Sequence, residues 1–229
     1  MTGLIAALDT TDVARAAFWA GLIAPHCGMF KVGPEFFLAN GTDGLRAVGG
    51  RPMFLDLKLH DIPNTVAGAV RALLPLQPRM LTLHAAGGAA MVTAARRAAE
   101  QAGADRPLLL AVTVLTSLDA AALAATGVPS SPREQVLRLA RLAMDAGADG
   151  LVCSAHEAAL LRAELDQTAV LVVPGIRPAG FPSGDQLRTM TPREAAAAGA
   201  DWLVVGRPIT AAADPAAAAA AIAAELAIP

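Results

Sequence analysis

The chain has 229 residues, of which 55% are hydrophobic and 17% charged, and its mean hydropathy is +0.48. Intrinsic disorder is excluded on that composition, and 55 alanines favour helices over a β-sandwich. A net charge of −2 leaves no footprint for nucleic acid or an anionic membrane surface. Cys27 and Cys153 are far apart, which argues against a disulfide framework or a zinc site and for a reducing cytoplasm. No basic leader precedes Asp9, and no apolar run approaches the roughly 18 residues of a membrane span, so neither secretion nor membrane insertion is expected.

In chain order, short apolar runs alternate with alanine-rich segments of helical spacing. The first strand, Leu4–Leu8, precedes a helix over Thr11–Ala24, and the second, Met29–Val32, a helix over Glu35–Asn40. Met53–Leu59 leads to Ile62–Leu74, and Met80–His84 to Gly88–Ala102. The fifth strand, Leu108–Leu115, is followed by a long loop, Thr116–Ser131, and a helix over Pro132–Ala146. Gly150–Cys153 leads to Ala155–Leu165, and Val170–Val173 to a second long loop, Arg177–Met190, and a helix over Thr191–Ala198. Trp202–Val205 and a last helix, Asp214–Ala227, complete the series.

Gly-Ala-Asp recurs before three strands, at 103–105, 147–149 and 199–201, where the glycine suits a left-handed helix cap. Eight β/α units over residues 1–229 predict one closed (β/α)8 barrel domain. No G-x-G-x-x-G follows the first strand, so a dinucleotide-binding fold is not indicated.

The densest charge lies where an apolar strand should have none, in Phe54-Leu55-Asp56-Leu57-Lys58-Leu59-His60-Asp61. A period of two puts Asp56 and Lys58 on one face and the leucines on the other. On a barrel strand that face points inward, where charged groups must pair. A catalytic pair and an ion pair that merely specifies the fold both meet that demand. Lys31 closes the second strand and Asp9 follows the first, as ligand or as helix cap. Of 18 basic residues, only Lys31 and Lys58 are lysine. Chance explains that as well as selection does, but an ammonium can release a proton near neutral pH and a guanidinium cannot.

A second constellation ends the seventh and eighth strands: Val173-Pro174-Gly175-Ile176-Arg177, Asp185-Gln186 in the loop beyond, and Gly206-Arg207-Pro208. Barrels often bind phosphate there, through backbone N–H groups and arginine; surface arginines on turns are the alternative. His26, His60, His84 and His156 show no metal-ligand spacing. His84 is expected to be structural, and Cys153-Ser154 to line the pocket.

Asp56-Leu57-Lys58-Leu59-His60-Asp61-Ile62-Pro63-Asn64-Thr65 closely resembles the signature of the orotidine 5′-phosphate decarboxylase family. Phe30-Lys31-Val32-Gly33, Val114-Leu115-Thr116-Ser117, Pro174-Gly175-Ile176-Arg177 and Val205-Gly206-Arg207-Pro208-Ile209 resemble its other motifs, in its chain order. The resemblance runs from Asp9 to Arg207. The Asp-x-Lys-x-x-Asp core is shared with metal-dependent phosphosugar barrels, whereas the Ile-Pro-Asn-Thr extension is highly specific. Those relatives place an acid on the second strand to hold Mg²⁺, and here Lys31 stands in that place.

The resemblance implies decarboxylation of orotidine 5′-monophosphate to uridine 5′-monophosphate, the last step of pyrimidine nucleotide synthesis, without metal or organic cofactor. It implies Lys58 as proton donor, with Asp56, Lys31 and Asp61 as the other catalytic residues. Asp9 and Lys31 would bind ribose, Thr116 the pyrimidine, and Arg177, Gln186, Gly206 and Arg207 the phosphate. Asp61 and Thr65 would serve the neighbouring subunit's site, which implies a homodimer. The chain has no tyrosine, so phenolic phosphate contacts found in some relatives are absent and the Arg177/Gln186/Arg207 set carries more of that role.

Overall fold

The structure is a computed structural model that describes residues 2–49, 52–165, 168–179, 181 and 190–227. Eight parallel strands close in sequence order: β1 (Gly3–Ala7), β2 (Met29–Val32), β3 (Met53–Leu59), β4 (Met80–His84), β5 (Leu108–Val112), β6 (Gly150–Val152), β7 (Val170–Val173) and β8 (Trp202–Val205). The last pairs with the first, Gly3 opposite Trp202 and Ala6 opposite Val205. The predicted barrel is thus observed, with helices α1 (Val13–Ile23), α2 (Pro34–Val48), α3 (Pro63–Leu73), α4 (Ala89–Ala99), α5 (Ala120–Ala125), α6 (Pro132–Asp145), α7 (Ala155–Glu164), α8 (Pro192–Ala197), α9 (Arg207–Thr210) and α10 (Pro215–Ala227).

Alternation along the strands divides the core in two. Ile5, Ala7, Met29, Phe54, Met80, Leu110, Val172 and Val204 fill the barrel. The intervening residues, among them Leu4, Ala6, Phe30, Leu55 and Leu81, pack outward against the helices. Each fully buried large side chain contributes roughly 1.5–3 kcal/mol, so this layer is a rigid floor for whatever stands above it. Trp202 plugs the opposite end, and a Cβ at Gly3 or Gly28 would collide with its ring.

Several boundaries depart from expectation. The fifth strand stops at Val112 instead of Leu115, because the chain turns away and Leu118 N–H bonds back to Leu115 O at 3.0 Å. The expected helix end at Asn40 is only a break: Gly41 (φ 59°, ψ −154°) kinks α2, which continues to Val48. The loop expected over 116–131 contains α5, started by Asp119, whose carboxylate accepts the Ala122 N–H at 2.8 Å. After β8, Arg207–Thr210 form a short helix that periodicity did not reveal.

The Gly-Ala-Asp repeats prove to be joints. Gly103, Gly147 and Gly199 all take positive φ, at 59°, 100° and 96°. Asp149, just before β6, reaches back to β5 and accepts the Leu109 N–H at 2.8 Å, while Arg96 and Arg106 pair with the same carboxylate at 2.9 and 2.8 Å. Asp201 repeats the bond to Leu171 N in β7, at 2.7 Å. Asp105, in the first repeat, is exposed.

Burial pushes the Asp149 carboxyl upward, but the bonds from Arg106 and Leu109 outweigh it and hold its pKa below 3.8. A depressed folded pKa means stabilisation that is present above the unfolded value and lost as pH falls through the folded one. Asp149→Ala is expected to cost about 2–3 kcal/mol at pH 7 by urea denaturation, with the gap to wild type closing in acid. Asp105→Ala should stay within about 0.5 kcal/mol. Equal losses for the two would show that the repeat, and not the strand-to-strand bond, matters.

Candidate active site

The inward positions of successive strands carry polar groups one pleat above the apolar floor: Asp9 beyond Ala7, Lys31 beyond Met29, Asp56 and Lys58 beyond Phe54, and Thr82 beyond Met80. They form a line of alternating charge. Lys31 Nζ lies 3.0 Å from Asp9 Oδ1 and 3.7 Å from Asp56 Oδ2, and Lys58 Nζ lies 2.8 Å from Asp56 Oδ1. The Asp56 side chain is 13% exposed and that of Lys31 11%. Burial pushes the Asp56 carboxyl upward, yet the Lys31 and Lys58 ammoniums and the hydrogen bonds from Lys58 and Thr82 prevail and keep it below 3.8.

The pairing of β3 with β4 breaks at this point. Leu55 lies opposite Leu81 and Leu59 opposite Leu83, so Asp56, Leu57 and Lys58 together face Thr82 alone. The expected faces survive this bulge, with Leu57 and Leu59 packing outward. Lys58 takes φ 51°, left-handed for a side-chain-bearing residue, and such a conformation persists only where its surroundings enforce it.

Two clefts meet above the array. One, of about 190 Å³, is lined by Lys31, Asp56 and Lys58 on one side and by Val112, Val114 and Val152 on the other, with Thr116 at its rim. The second, of about 330 Å³, runs from Asp9 to Arg177, Gly206 and Arg207. Both touch Lys31, Pro174 and Val204, so they form one groove with a partly apolar reactive end and a basic end.

Arg177 is buried and, among the described residues, its Nε has no hydrogen-bond partner; burial, and then the charge of Arg207, lower its pKa. A desolvated guanidinium beside a second one favours an anion. The feet of the long loop are joined here, Arg177 N–H donating to Met190 O at 2.9 Å. Gln186, the remaining residue assigned to this end, lies outside the described residues.

Asp61 and Thr65 are not in this line. Both are exposed, at the entry to α3, and the Asp61 carboxylate accepts the Ile62 N–H at 2.7 Å. Cys153 lines the smaller cleft, whereas Ser154 is fully buried as the N-cap of α7. His84 packs on His60 with ring centroids 5.2 Å apart, and burial, followed by His60 and Lys58, lowers its pKa. Sequence reasoning missed Thr82 and the valine wall. Their inward register was the available signal.

A closed barrel with a buried ionic line at one end of a groove and a basic pocket beyond β7 and β8 at the other has its charged groups where enzymes of this fold build their active sites. The chain belongs to the orotidine 5′-phosphate decarboxylase / HUMPS family, whose model matches residues 2–222. It is 57% identical to orotidine 5′-phosphate decarboxylase of Gluconobacter oxydans over 99% of this chain and 98% of that one, and 56% identical to that of Thermobifida fusca over 96% and 94%. Among solved structures, orotidine 5′-phosphate decarboxylase from Lactobacillus acidophilus superposes with a TM-score of 0.88 at 38% identity, covering 99% of this chain and all of the other.

The basic end generates a test of its own. Uridine 5′-monophosphate should raise the Tm of the wild-type protein, and Arg207→Ala should weaken its binding about 10²-fold while leaving the Tm without ligand within a few degrees. Uridine, lacking the phosphate, should bind both proteins equally. A drop in uridine affinity as large as that for the nucleotide would remove Arg207 from the phosphate end.

Proposed function

We propose that this chain decarboxylates orotidine 5′-monophosphate to uridine 5′-monophosphate, with Lys58 as proton donor and no metal or organic cofactor. The observation that carries this reading is the Lys58 ammonium, bound to Asp56 at 2.8 Å, at the edge of a cleft with an apolar wall. Breaking the bond from pyrimidine C6 to the carboxylate leaves its electron pair on C6, in the ring plane, where no carbonyl can delocalise it. Stabilisation must therefore be electrostatic, and a fixed ammonium beside an apolar wall supplies it. The proton then passes from Lys58 Nζ to C6, and the resulting amine regains a proton from solvent.

Asp56 would lie near the departing substrate carboxylate, so that repulsion between two anions is relieved as neutral CO₂ leaves. Lys31, between Asp9 and Asp56, keeps Asp56 ionised and, with Asp9, is placed for the ribose hydroxyls. Thr116 meets the pyrimidine. Arg177, Gly206 and Arg207, with Gln186, hold the phosphate, and that remote grip serves the reacting end through the shared groove. Lysines on both sides of Asp56 repel a divalent cation, which disfavours the metal-dependent phosphosugar chemistry of related barrels. Cys27 and Cys153, both buried and not joined in a disulfide, suit a reducing cytoplasm.

The active unit in this reading is a homodimer. Asp61 and Thr65 are exposed and take no part in the line of charge of their own subunit, and beside them Ile62 is 67% exposed, an apolar side chain suited to cover by a second copy. The partner subunit's Asp61 and the partner subunit's Thr65 then complete each site.

In EDTA, Lys58→Ala should lose more than about 10² in kcat, the least expected of a general acid, with uridine 5′-monophosphate still bound. Lys58→Arg should not restore activity, since arginine cannot supply the proton. Turnover of Lys58→Ala above a hundredth of wild type, or activity that requires a divalent ion, would overturn the assignment. For the shared site, mixing inactive Lys58→Ala and Asp61→Ala proteins under verified subunit exchange should recover about a quarter of full activity, because half the dimers are mixed and each holds one intact site. No recovery would mean that each site is built by one chain.

A further inference from the structure

Thr82 is fully buried, on the inner face of β4, and its hydroxyl makes two bonds that both run to the reacting pair. It accepts the Lys58 backbone N–H at 2.8 Å and donates to Asp56 Oδ1 at 3.0 Å, the same oxygen that receives Lys58 Nζ. The bulge explains why one side chain serves both. Three residues of β3 face one of β4, so the Lys58 N–H has left the regular ladder, and at φ 51° it is aimed at a side chain. A hydroxyl has one proton to give and lone pairs to accept with. Here its proton goes to the carboxylate and a lone pair takes the amide.

We propose that Thr82 is a positioning residue for decarboxylation, its hydroxyl clamping the Lys58 backbone and the Asp56 carboxylate together so that the ammonium is held at a fixed approach to C6. Thr82 lies beneath the pair and acts through it. The left-handed turn at Lys58 swings the side chain back over Asp56, and the Thr82 bond is what secures that turn from the β4 side. Valine fills nearly the same volume without hydrogen bonding, so it would leave both the amide and the carboxylate oxygen short of a partner at a place where orientation, not packing, decides the rate.

This inference rests on Asp56 and Lys58 being the reacting pair, and the experiment separates the two claims. Steady-state kinetics with orotidine 5′-monophosphate, the Kd of uridine 5′-monophosphate and the Tm are measured for wild type, Thr82→Val, Thr82→Ser and Lys58→Ala. Thr82→Val is expected to lower kcat about 10- to 100-fold, the loss of a hydrogen bond to a charged group, with KM and product Kd within about threefold of wild type. Thr82→Ser, which keeps the hydroxyl, should recover at least a third of the wild-type kcat.

Wild-type kcat in Thr82→Val, or Thr82→Ser as slow as Thr82→Val, would overturn the proposal, the second by showing that the methyl group matters and the hydroxyl does not. A fall in kcat matched by equal losses in KM and product affinity would also overturn it, as general damage to the site. If Thr82→Val does not fold, Thr82→Ser alone decides by the same threshold. An active Lys58→Ala would instead sink the reading on which the inference rests. Inactive Lys58→Ala beside an unimpaired Thr82→Val would sink only the role of Thr82.

Discussion

A carboxylate held above an apolar barrel floor must be compensated, and the site is organised around that requirement. Taking an ion out of water costs several kcal/mol, and one remedy is neutralisation by a proton. Asp56 is spared it by two ammoniums and a hydroxyl. Lys31 is shared with Asp9, which is half exposed and so anchors the line in solvent. Charge therefore alternates from the rim inward. Lys58 ends the line, a third exposed and facing the cleft, as the member free to act on a bound molecule.

The barrel makes such a line possible because its strands are staggered and parallel. Lys31 lies opposite Ala7 of β1 and Phe54 of β3, so Asp9 and Asp56, each two residues further along, flank it on either side. A stiff layer of Met29, Phe54 and Met80 beneath them fixes their height. The opposite strands contribute mainly apolar side chains, so the cleft has one charged wall and one that is largely apolar. A substrate lying across it meets fixed charges with little competing water, the condition under which fixed charges act most strongly. The basic end is linked to the cleft through Lys31, Pro174 and Val204, and in the proposed reading supplies the anchorage.

Much of this is legible in the sequence alone. Repeated β/α alternation at near-constant spacing leads to the closed barrel, and Phe54, Asp56 and Lys58 at intervals of two read directly as one inward face. Charged residues ending three consecutive strands then imply one mouth. The bulge was not legible, because it is a relation between two strands, and the sequence of β3 looks regular on its own. Thr82 was hidden for the same reason: a lone threonine in Met-Leu-Thr-Leu-His reads as packing until its cross-strand neighbours are known. Gly41 marked a real break in α2, but the tertiary contacts of Leu45 and Val48 carry the helix past it. Asp61 and Thr65 matched the family motif, and their own subunit gives them no role in its line of charge.

Asp56 stays ionised while buried because Lys31 and Lys58 flank it. The most direct measurement is the carboxyl ¹³C chemical shift of Asp56 in aspartate-labelled protein, followed from pH 7 down to about pH 4, where an ordinary aspartate is nearly half protonated. Asp56 in the wild type is expected to be less protonated than an ordinary aspartate at the acid end of that range, and to titrate at higher pH once Lys31 is replaced by Met. An Asp56 that is half protonated at or above about pH 4 in the wild type, or one that Lys31→Met leaves unmoved, would contradict it.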